Sequence, residues 1–492
     1  MLLGEEDIIL LGNNNTNVNV LGLSYDSRKI KNYYAFFAIS GSSTDGKKYI
    51  DEAILKGACV IITDSDITVT INTNIIYIVV KDIIKFMSRL SAKFYKHPDK
   101  MLTVIGVTGT NGKTTITYML ESIFKYCGIK CGVIGTINYR YNNQAIQSIN
   151  TTPQSLDIYR IMREMLDTGV SHLIMEVSSH ALSIGRVHGI SFSTAIFTNL
   201  TSDHLDFHKN LQNYFQAKSI LFRDLFSTKM KKSFAIINVD DYYGKKLLKL
   251  KINAVVQSYS LLNNNITNWK ITNIKLDRNY TSFNFLYHKV YIEQIGLYNV
   301  YNAVAALIAA ICNGVSLMTS IKGLSTLKRI PGRLEQIYNK HLGYYIIIDY
   351  AHTIDALKNV LQTIRKISYH RLITVFGCGG NRDKTKRAIM GQLAVNFSDI
   401  VFVTSDNPRF EDPYQIISDI ITGIKQINKK NYKIVLNRAT AIRQAINIAN
   451  KGDTILIAGK GHEKYQIIAD KKLYFDDVKI VKDYIKIIKN NK

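Results

Sequence analysis

The stretch "VIGVTGTNGKTT", Val104 to Thr115, limits the fold more than any other part of the chain. Val104 to Val107 read as a buried strand. Gly109 and Gly112 let the backbone turn tightly and approach a ligand closely. The pattern "ITYMLESIFKY" that follows is helical. A strand that passes through a glycine turn into a helix belongs to an α/β layer, in which helices cross over between parallel strands. The N–H groups of such a turn, with a helix N-terminus behind them, form an anion site. Gly109, Thr110, Asn111, Gly112, Lys113, Thr114 and Thr115 are therefore candidates for a phosphate cradle. In it Lys113 would reach the β/γ-phosphates and the Thr114 hydroxyl would hold Mg²⁺. The generic pattern places a glycine where this chain has Val107.

A chain of 492 residues is too long for one core, and the length prior suggests about three domains. No apolar run approaches the roughly 18 residues needed to span a bilayer. Glu5, Glu6 and Asp7 in "MLLGEEDIILLG" argue against a signal or transit peptide. The five cysteines, Cys59, Cys127, Cys131, Cys312 and Cys378, make no CxxC pair. A zinc site and a disulfide framework are therefore not indicated, and a reducing cytosol is the expected compartment. The net charge of +25 invites a nucleic-acid reading. The lysines, however, are spread along the chain, and no RRM, KH or zinc-finger pattern is present. The charge reads as a solvated surface suited to polyanionic small substrates.

Three α/β units are expected. Residues 1–98 carry the strand patterns "YAFFAI", "ACVIIT" and "IIYIVV", with "IDEAILKG" as a helix and "GNNNTNVNV" (Gly12 to Val20) as a polar loop. The boundary "YKHPDKM" leads into residues 99–330, where "HLIMEV", "TAIFTNL", "FAIINV" and "NAVAALIAAI" alternate as a mostly parallel sheet with its crossover helices. "KRIPGRLEQ" marks a second boundary, and residues 331–492 carry the strands "YYIIIDY", "RLITVFG", "IVFVTS" and "TILIAG". Ligands of open α/β sheets sit at the carboxyl ends of strands. "DYAHT", "GCGGNRDK", "SDNPRFEDP" and "AGKGHEKYQ" should therefore line one crevice.

Beyond the glycine turn, "MEVSSHAL" puts Glu176 at a strand end, where a carboxylate suits Mg²⁺ beside Thr114. "NLTSDHLDFH" offers His204, and "YFQAKSILF" puts Lys218 in an apolar helical pattern. Together with "NTTP", "YNVYNAVAAL", "IPGRLEQ", "DYAHT", "FGCGGNRDKTKR", "SDNPR" and "AGKGHE", these motifs resemble the Mur ligases, ATP-dependent amide-forming enzymes of peptidoglycan precursor synthesis. That family also lacks the first glycine of the generic phosphate loop.

The resemblance implies a small N-terminal α/β domain that binds UDP, a central ATP-binding domain and a Rossmann-like C-terminal domain that binds an amino acid. It implies phosphoryl transfer from ATP to the D-Glu carboxylate of UDP-N-acetylmuramoyl-L-alanyl-D-glutamate, then attack by an amine on the acyl phosphate. In this scheme the protein aligns and neutralises anions. Lys113, Glu176, His204 and Lys218 carry the chemistry. Thr114, Glu176, His204 and a Lys218 carbamylated by CO₂ support Mg²⁺. Asn299 (with Asn302 as neighbouring candidate), Arg333 and Asp349 would take the base and sugar of ATP, with His352 close by. Ile354 stands where relatives often have proline. For the nucleotide sugar the resemblance implies Ser27, Ser42, Ser43 and Thr44, and Thr151, Thr152, Ser178 and Arg186. Ile184 stands where close relatives carry glutamine, so one substrate hydrogen bond is in question.

"DNPR" bears on the amino acid. Arg409 presents a fork suited to a carboxylate. meso-Diaminopimelate carries one at its far end, where lysine has only an ammonium. The resemblance adds Arg382, Asp406, Asn407, Pro408, Gly459 and Glu463 as contacts, with Glu463 suited to the distal ammonium. The alternatives are L-lysine as the amino acid, Arg409 paired only with Glu411, and a basic P-loop ATPase acting on nucleic acid. The expected partners are the small substrates rather than nucleic acid or membrane, and the chain is expected to act as a monomer.

Overall fold

The central sheet has eight strands in the order Val255–Tyr259, Phe234–Asn238, Thr194–Phe197, Thr103–Thr108, His172–Glu176, Cys131–Ile134, Asn138–Tyr141, Gln144–Gln147. The first six run parallel and the last two form an antiparallel edge. Thr103–Thr108 lies between His172–Glu176 and Thr194–Phe197, with Glu176 opposite Val107 and Phe197 opposite Thr108. Three strand ends therefore meet at Gly109. Val104, Ile105 and Val107 are fully buried because helices cover both faces. Lys113–Tyr126 and the alanine-rich Leu297–Cys312 pack on one side. Ser155–Asp167 and Leu211–Arg223 pack on the other.

This computed structural model describes residues 8–12, 18–41, 44–64, 74–226, 232–263, 267–338, 343–368 and 370–490. Two expected nucleotide-sugar residues, Ser42 and Ser43, lie outside the described residues, as do residues 13–17 of the expected loop "GNNNTNVNV".

The N-terminal sheet has five strands in the order Ile8–Gly12, Ile76–Val80, Ala58–Thr63, Tyr34–Phe37, Gly22–Ser24, parallel except for the first pair. Asp82 caps the helix Ile83–Phe94 by accepting from the Lys85 N–H. The helix buries Ile83, Phe86, Met87 and Leu90 together with Leu156 of the next unit. Across the same border the Tyr25 hydroxyl donates to Asp157 at 2.5 Å.

The C-terminal sheet has six strands in the order Glu335–Tyr338, Tyr345–Asp349, Thr454–Ala458, Leu372–Phe376, Ile400–Val403, Tyr432–Ile434. Only the first pair is antiparallel. Ile354–Ile367, Thr385–Phe397 and Pro413–Gln426 cover one face; Arg438–Asn447 and Asp477–Asn490 cover the other. The interior strands keep "ACVIIT", "HLIMEV", "FAIINV" and "TILIAG" within a residue of their expected limits. Several elements were not anticipated. They are the hairpin Asn138–Tyr141/Gln144–Gln147, the three-stranded antiparallel sheet Ile271–Leu276, Thr281–Phe285, His288–Ile292, and the pair Tyr465–Ile468/Lys471–Tyr474. These strands are short and largely polar on one face, so they lack long apolar runs. The three-stranded sheet also reaches the C-terminal unit. Arg278 donates to the Gly452 carbonyl at 2.7 Å and the Thr454 hydroxyl at 3.0 Å, and lies 4.2 Å from the Tyr345 ring centre.

Candidate active site

Close backbone approach shapes the glycine turn. Gly109 (φ +144) and Gly112 (φ +92) hold conformations that side chains disfavour. A β-carbon on Gly109 would lie 1.8 Å from Thr198 Oγ1, and one on Gly112 2.4 Å from Asn302 Oδ1. The next strand end holds the turn. The Thr110 and Asn111 N–H groups donate to the Asn199 carbonyl (2.8 Å) and side-chain oxygen (3.0 Å), and Thr198 Oγ1 donates to the Asn111 carbonyl at 2.6 Å. Thr115 is buried in the helix's first turn.

Two lysines meet on one carbonyl. Lys113 Nζ donates to the Gly109 and Thr110 carbonyls, both at 2.9 Å, and Lys218 Nζ donates to the same Gly109 carbonyl at 2.9 Å. Lys218 is 1% exposed. Burial, and then the charge of Lys113, push it well below the ordinary lysine value. Its neutral, nucleophilic amine is thereby favoured.

Thr114 Oγ1 donates to Glu176 Oε2 at 3.0 Å. Glu176 also accepts from the Thr136 N–H and hydroxyl, both at 2.9 Å, and Arg333 Nη2 donates to Thr114 Oγ1 at 3.2 Å. A hydroxyl and a carboxylate oxygen side by side are hard donors that fit Mg²⁺. His204 opens the short helix Leu205–His208. Its backbone is left-handed (φ +54), and its Nε2 lies 3.4 Å from Asp203. It faces His180 at 4.8 Å and Tyr214 at 6.3 Å between ring centres. Tyr214 is also the ring over which Lys218 Nζ lies, at 4.5 Å. Burial first, opposed by Asp203, pushes His204 below its ordinary value. Among the described residues no three His, Cys, Asp or Glu side chains converge as a metal group.

Thr151, Thr152, Ser178 and Arg186 gather beside Glu176. Thr136 and Thr151 hydroxyls lie 3.0 Å apart, Thr152 Oγ1 donates to the Glu176 carbonyl at 2.8 Å, and Arg186 Nη1 donates to the Thr152 carbonyl at 3.0 Å. Ser178 caps the short helix Ser179–Ser183. Ser27 and Thr44 make their bonds inside the N-terminal unit, to Glu52 (2.8 Å) and Tyr49 (3.2 Å). Asn299 spends its amide on the carbonyl of Ile295, just ahead of its helix, at 2.8 Å; Asn302 is the one that lies against Gly112. Asp349 accepts from the Leu334 and Ala351 N–H groups at 2.7 and 2.8 Å, tying the "PGR" turn to the strand end. Arg333 lies 4.8 Å from the Tyr350 ring centre, and His352 Nδ1 lies 2.8 Å from the Tyr350 carbonyl.

The C-terminal loops converge around one lysine. Fully buried Lys460 donates to Asn407 Oδ1 at 3.0 Å and pairs with Glu463 at 3.1 Å. Asn407 Nδ2 donates to Glu463 at 3.0 Å, and the Tyr350 hydroxyl to its other oxygen at 3.4 Å. A β-carbon on Gly459 would lie 2.6 Å from Asp406 Oδ2, and one on Gly380 1.9 Å from the Pro408 carbonyl. Arg409 (φ +55) donates to the Gly380 carbonyl at 2.7 Å. Among the described residues it has no ion-pair partner. Burial, and then Arg382, lower its pKa. Arg382 itself is exposed. The alternative pairing of Arg409 with Glu411 is not found: Glu411 pairs with Arg387 at 2.9 Å and Lys384 at 3.6 Å.

Sequence reasoning missed Thr136, Asp203, Tyr350, Arg387 and Lys460 as site-building residues. Lys460 had a signal: a lysine between two glycines, directly after an apolar strand. Thr136 had none, because its meaning depends on which strand lies beside Glu176.

A phosphate turn on a parallel sheet, facing loops of a second sheet that carry an unpaired arginine, is the build of an ATP-dependent amide-forming ligase. The chain belongs to the Mur ligase family. "Mur ligase family, catalytic domain" matches residues 19–95, "Mur ligase middle domain" 107–310, and "Mur ligase, glutamate ligase domain" 332–461. It is 43% identical, over 96% of each chain, to UDP-N-acetylmuramoyl-L-alanyl-D-glutamate–2,6-diaminopimelate ligase of Clostridium tetani (strain Massachusetts / E88). A solved structure of a ligase with that name is 31% identical and superposes with a TM-score of 0.66 over 95% of both chains. The MurF ligase of Thermotoga maritima, solved in complex with ADP, shares the fold at 16% identity and a TM-score of 0.64, over 96% of this chain and 98% of that one.

Proposed function

We propose that the chain adds meso-diaminopimelate to UDP-N-acetylmuramoyl-L-alanyl-D-glutamate with ATP, during peptidoglycan precursor synthesis. The observation that carries the amino-acid choice is Arg409, which donates to the Gly380 carbonyl, has no ion-pair partner among the described residues and feels the charges of Asp406 and Glu463. Lys113 would leave the carbonyls on which it rests and neutralise the β/γ-phosphates. Thr114 and Glu176 would hold Mg²⁺, which supplies positive charge to the phosphates. The D-Glu carboxylate oxygen attacks the γ-phosphorus and ADP leaves. The neutral amine of diaminopimelate then attacks the acyl carbon, and phosphate departs as the amide forms and the amine nitrogen loses one proton.

The division at 1–98, 99–330 and 331–492 assigns UDP, ATP and amino acid to successive units. Thr151, Thr152, Ser178 and Arg186 would carry the muramoyl-peptide end of the substrate, and Ser27 and Thr44 its nucleotide. Arg333, Asp349 and Asn302 would flank the nucleoside of ATP, with Asn299 supporting Asn302 through a 3.1 Å bond. Lys218 supports a carbamylated reading, because its neutral amine can bond to the carbon of CO₂ and lose a proton. The product carbamate would place an anion beside Lys113, and with His204 it would hold a second Mg²⁺. The five free thiols fit a reducing cytoplasm, and no described helix is long and apolar enough to cross a membrane.

A phosphate-release assay with purified UDP-muramoyl-dipeptide tests the reading. Release should require ATP, the dipeptide and meso-diaminopimelate together. Release stimulated by DNA or RNA without them would overturn it.

A further inference from the structure

Glu411 lies two positions from Arg409, yet it turns away from it. Its carboxylate accepts from the Asn381 N–H and pairs with Arg387 Nη2 at 2.9 Å. Arg387 is fully buried on the helix Thr385–Phe397. Its second branch pairs with Asp419 on Pro413–Gln426 at 2.8 Å, and Nη2 also donates to the Gly379 carbonyl at 3.4 Å. Asn381 Oδ1 closes the loop by accepting from the Phe410 N–H at 3.0 Å. Two loops are thus stitched together by one guanidinium, next to the Gly380 carbonyl to which Arg409 donates. Glu411 titrates below the ordinary carboxylate value: burial pushes it up, but the Asn381 N–H and Arg387 outweigh that. It is an anion, and an anion two residues from Arg409 is the nearest in sequence that could compete with a substrate carboxylate.

We propose that Arg387 is a positioning residue for amino-acid recognition, which sequesters Glu411 so that Arg409 stays open to the substrate's distal carboxylate. This rests on the reading of Arg409 given above. Without Arg387, Glu411 would swing to Arg409 and form an internal ion pair, which diaminopimelate must break before it binds. The guanidinium fork of Arg387 is needed for this: a single branch could hold Asp419 or Glu411, but not both.

The test is a set of KM measurements for each substrate. Arg387→Met should raise the KM for meso-diaminopimelate about two- to fivefold, the size expected when an ion pair of surface strength must first be opened. The KM values for ATP and UDP-muramoyl-dipeptide should stay near wild type. Adding Glu411→Gln to that background should restore most of the affinity, because a neutral amide does not compete for Arg409. If the double variant is no better than Arg387→Met, the role is structural and the proposal fails. Should Arg387→Met not fold, by circular dichroism and thermal melting, Arg387→Lys with and without Glu411→Gln makes the same comparison. Arg409→Ala separates the two levels: a neutral result there overturns the Arg409 reading, whereas a large loss without rescue by Glu411→Gln overturns only this one.

Discussion

The phosphate turn and the amino-acid crevice are built by different means. The turn is one continuous segment, Gly109 to Thr115, held by backbone groups and by hydroxyl and amide side chains of Thr198 and Asn199. The crevice is assembled from four strand ends, and charge holds it: Lys460 with Glu463, and Arg387 with Glu411 and Asp419. Main-chain contacts recognise what every ATP presents. Buried ion pairs fix the place of a few charges and so discriminate between amines that differ by one carboxylate. On the proposed reading, chemistry would reside in the first region and choice of substrate in the second.

Damage to the two regions should separate in the kinetics. The largest effect is expected from Lys113→Ala, which removes the charge over the β/γ-phosphates. Turnover should fall by about three orders of magnitude or more, in the range seen when a transition-state charge contact is lost, with the fold intact by circular dichroism. Normal phosphate release from that variant would move the ATP site elsewhere. Next is Lys460→Met. It strips a buried partner from Glu463, at a cost of about 3 kcal/mol in stability, and should raise the KM for diaminopimelate while leaving that for ATP alone. An equal rise in both would erase the division of labour. The smallest effect sharpens the view of Lys218. In the unmodified protein its folded pKa lies below the unfolded value of about 10.4. The folded state therefore binds fewer protons than the unfolded one, and stability rises with pH through that window. Lys218→Met should melt a few degrees higher than CO₂-stripped wild type at neutral pH, and the gap should close as pH approaches about 10. A gap independent of pH would mean that Lys218 is not a titrating liability.

The same contrast explains what was legible in the sequence. Glycine turn, Lys113 and Thr114 are contiguous, so local chemistry revealed them. The strands "ACVIIT" and "TILIAG" were legible because burial on both faces demands unbroken apolar runs. Thr136 and Arg387 were not, because each acts through residues distant in sequence that only the strand order makes neighbours. The strand pair around Thr281–Phe285 was missed for another reason: one face is covered by the alanine-rich helix and the other is polar, which leaves only a short alternation. The motif pointed to Asn299, yet helix geometry gives the contact with Gly112 to Asn302, one turn further along.

The most direct measurement is the ratio of kcat/KM for meso-diaminopimelate to that for L-lysine, in wild type and in Arg409→Ala. Loss of one partner of a buried charge pair costs about 2–5 kcal/mol, so the wild-type preference should be roughly 30- to 5,000-fold and should largely collapse in the variant, with the KM values for ATP and nucleotide sugar near normal. A wild-type enzyme that uses lysine as readily as diaminopimelate, or an Arg409→Ala variant that keeps the full preference, would contradict the account.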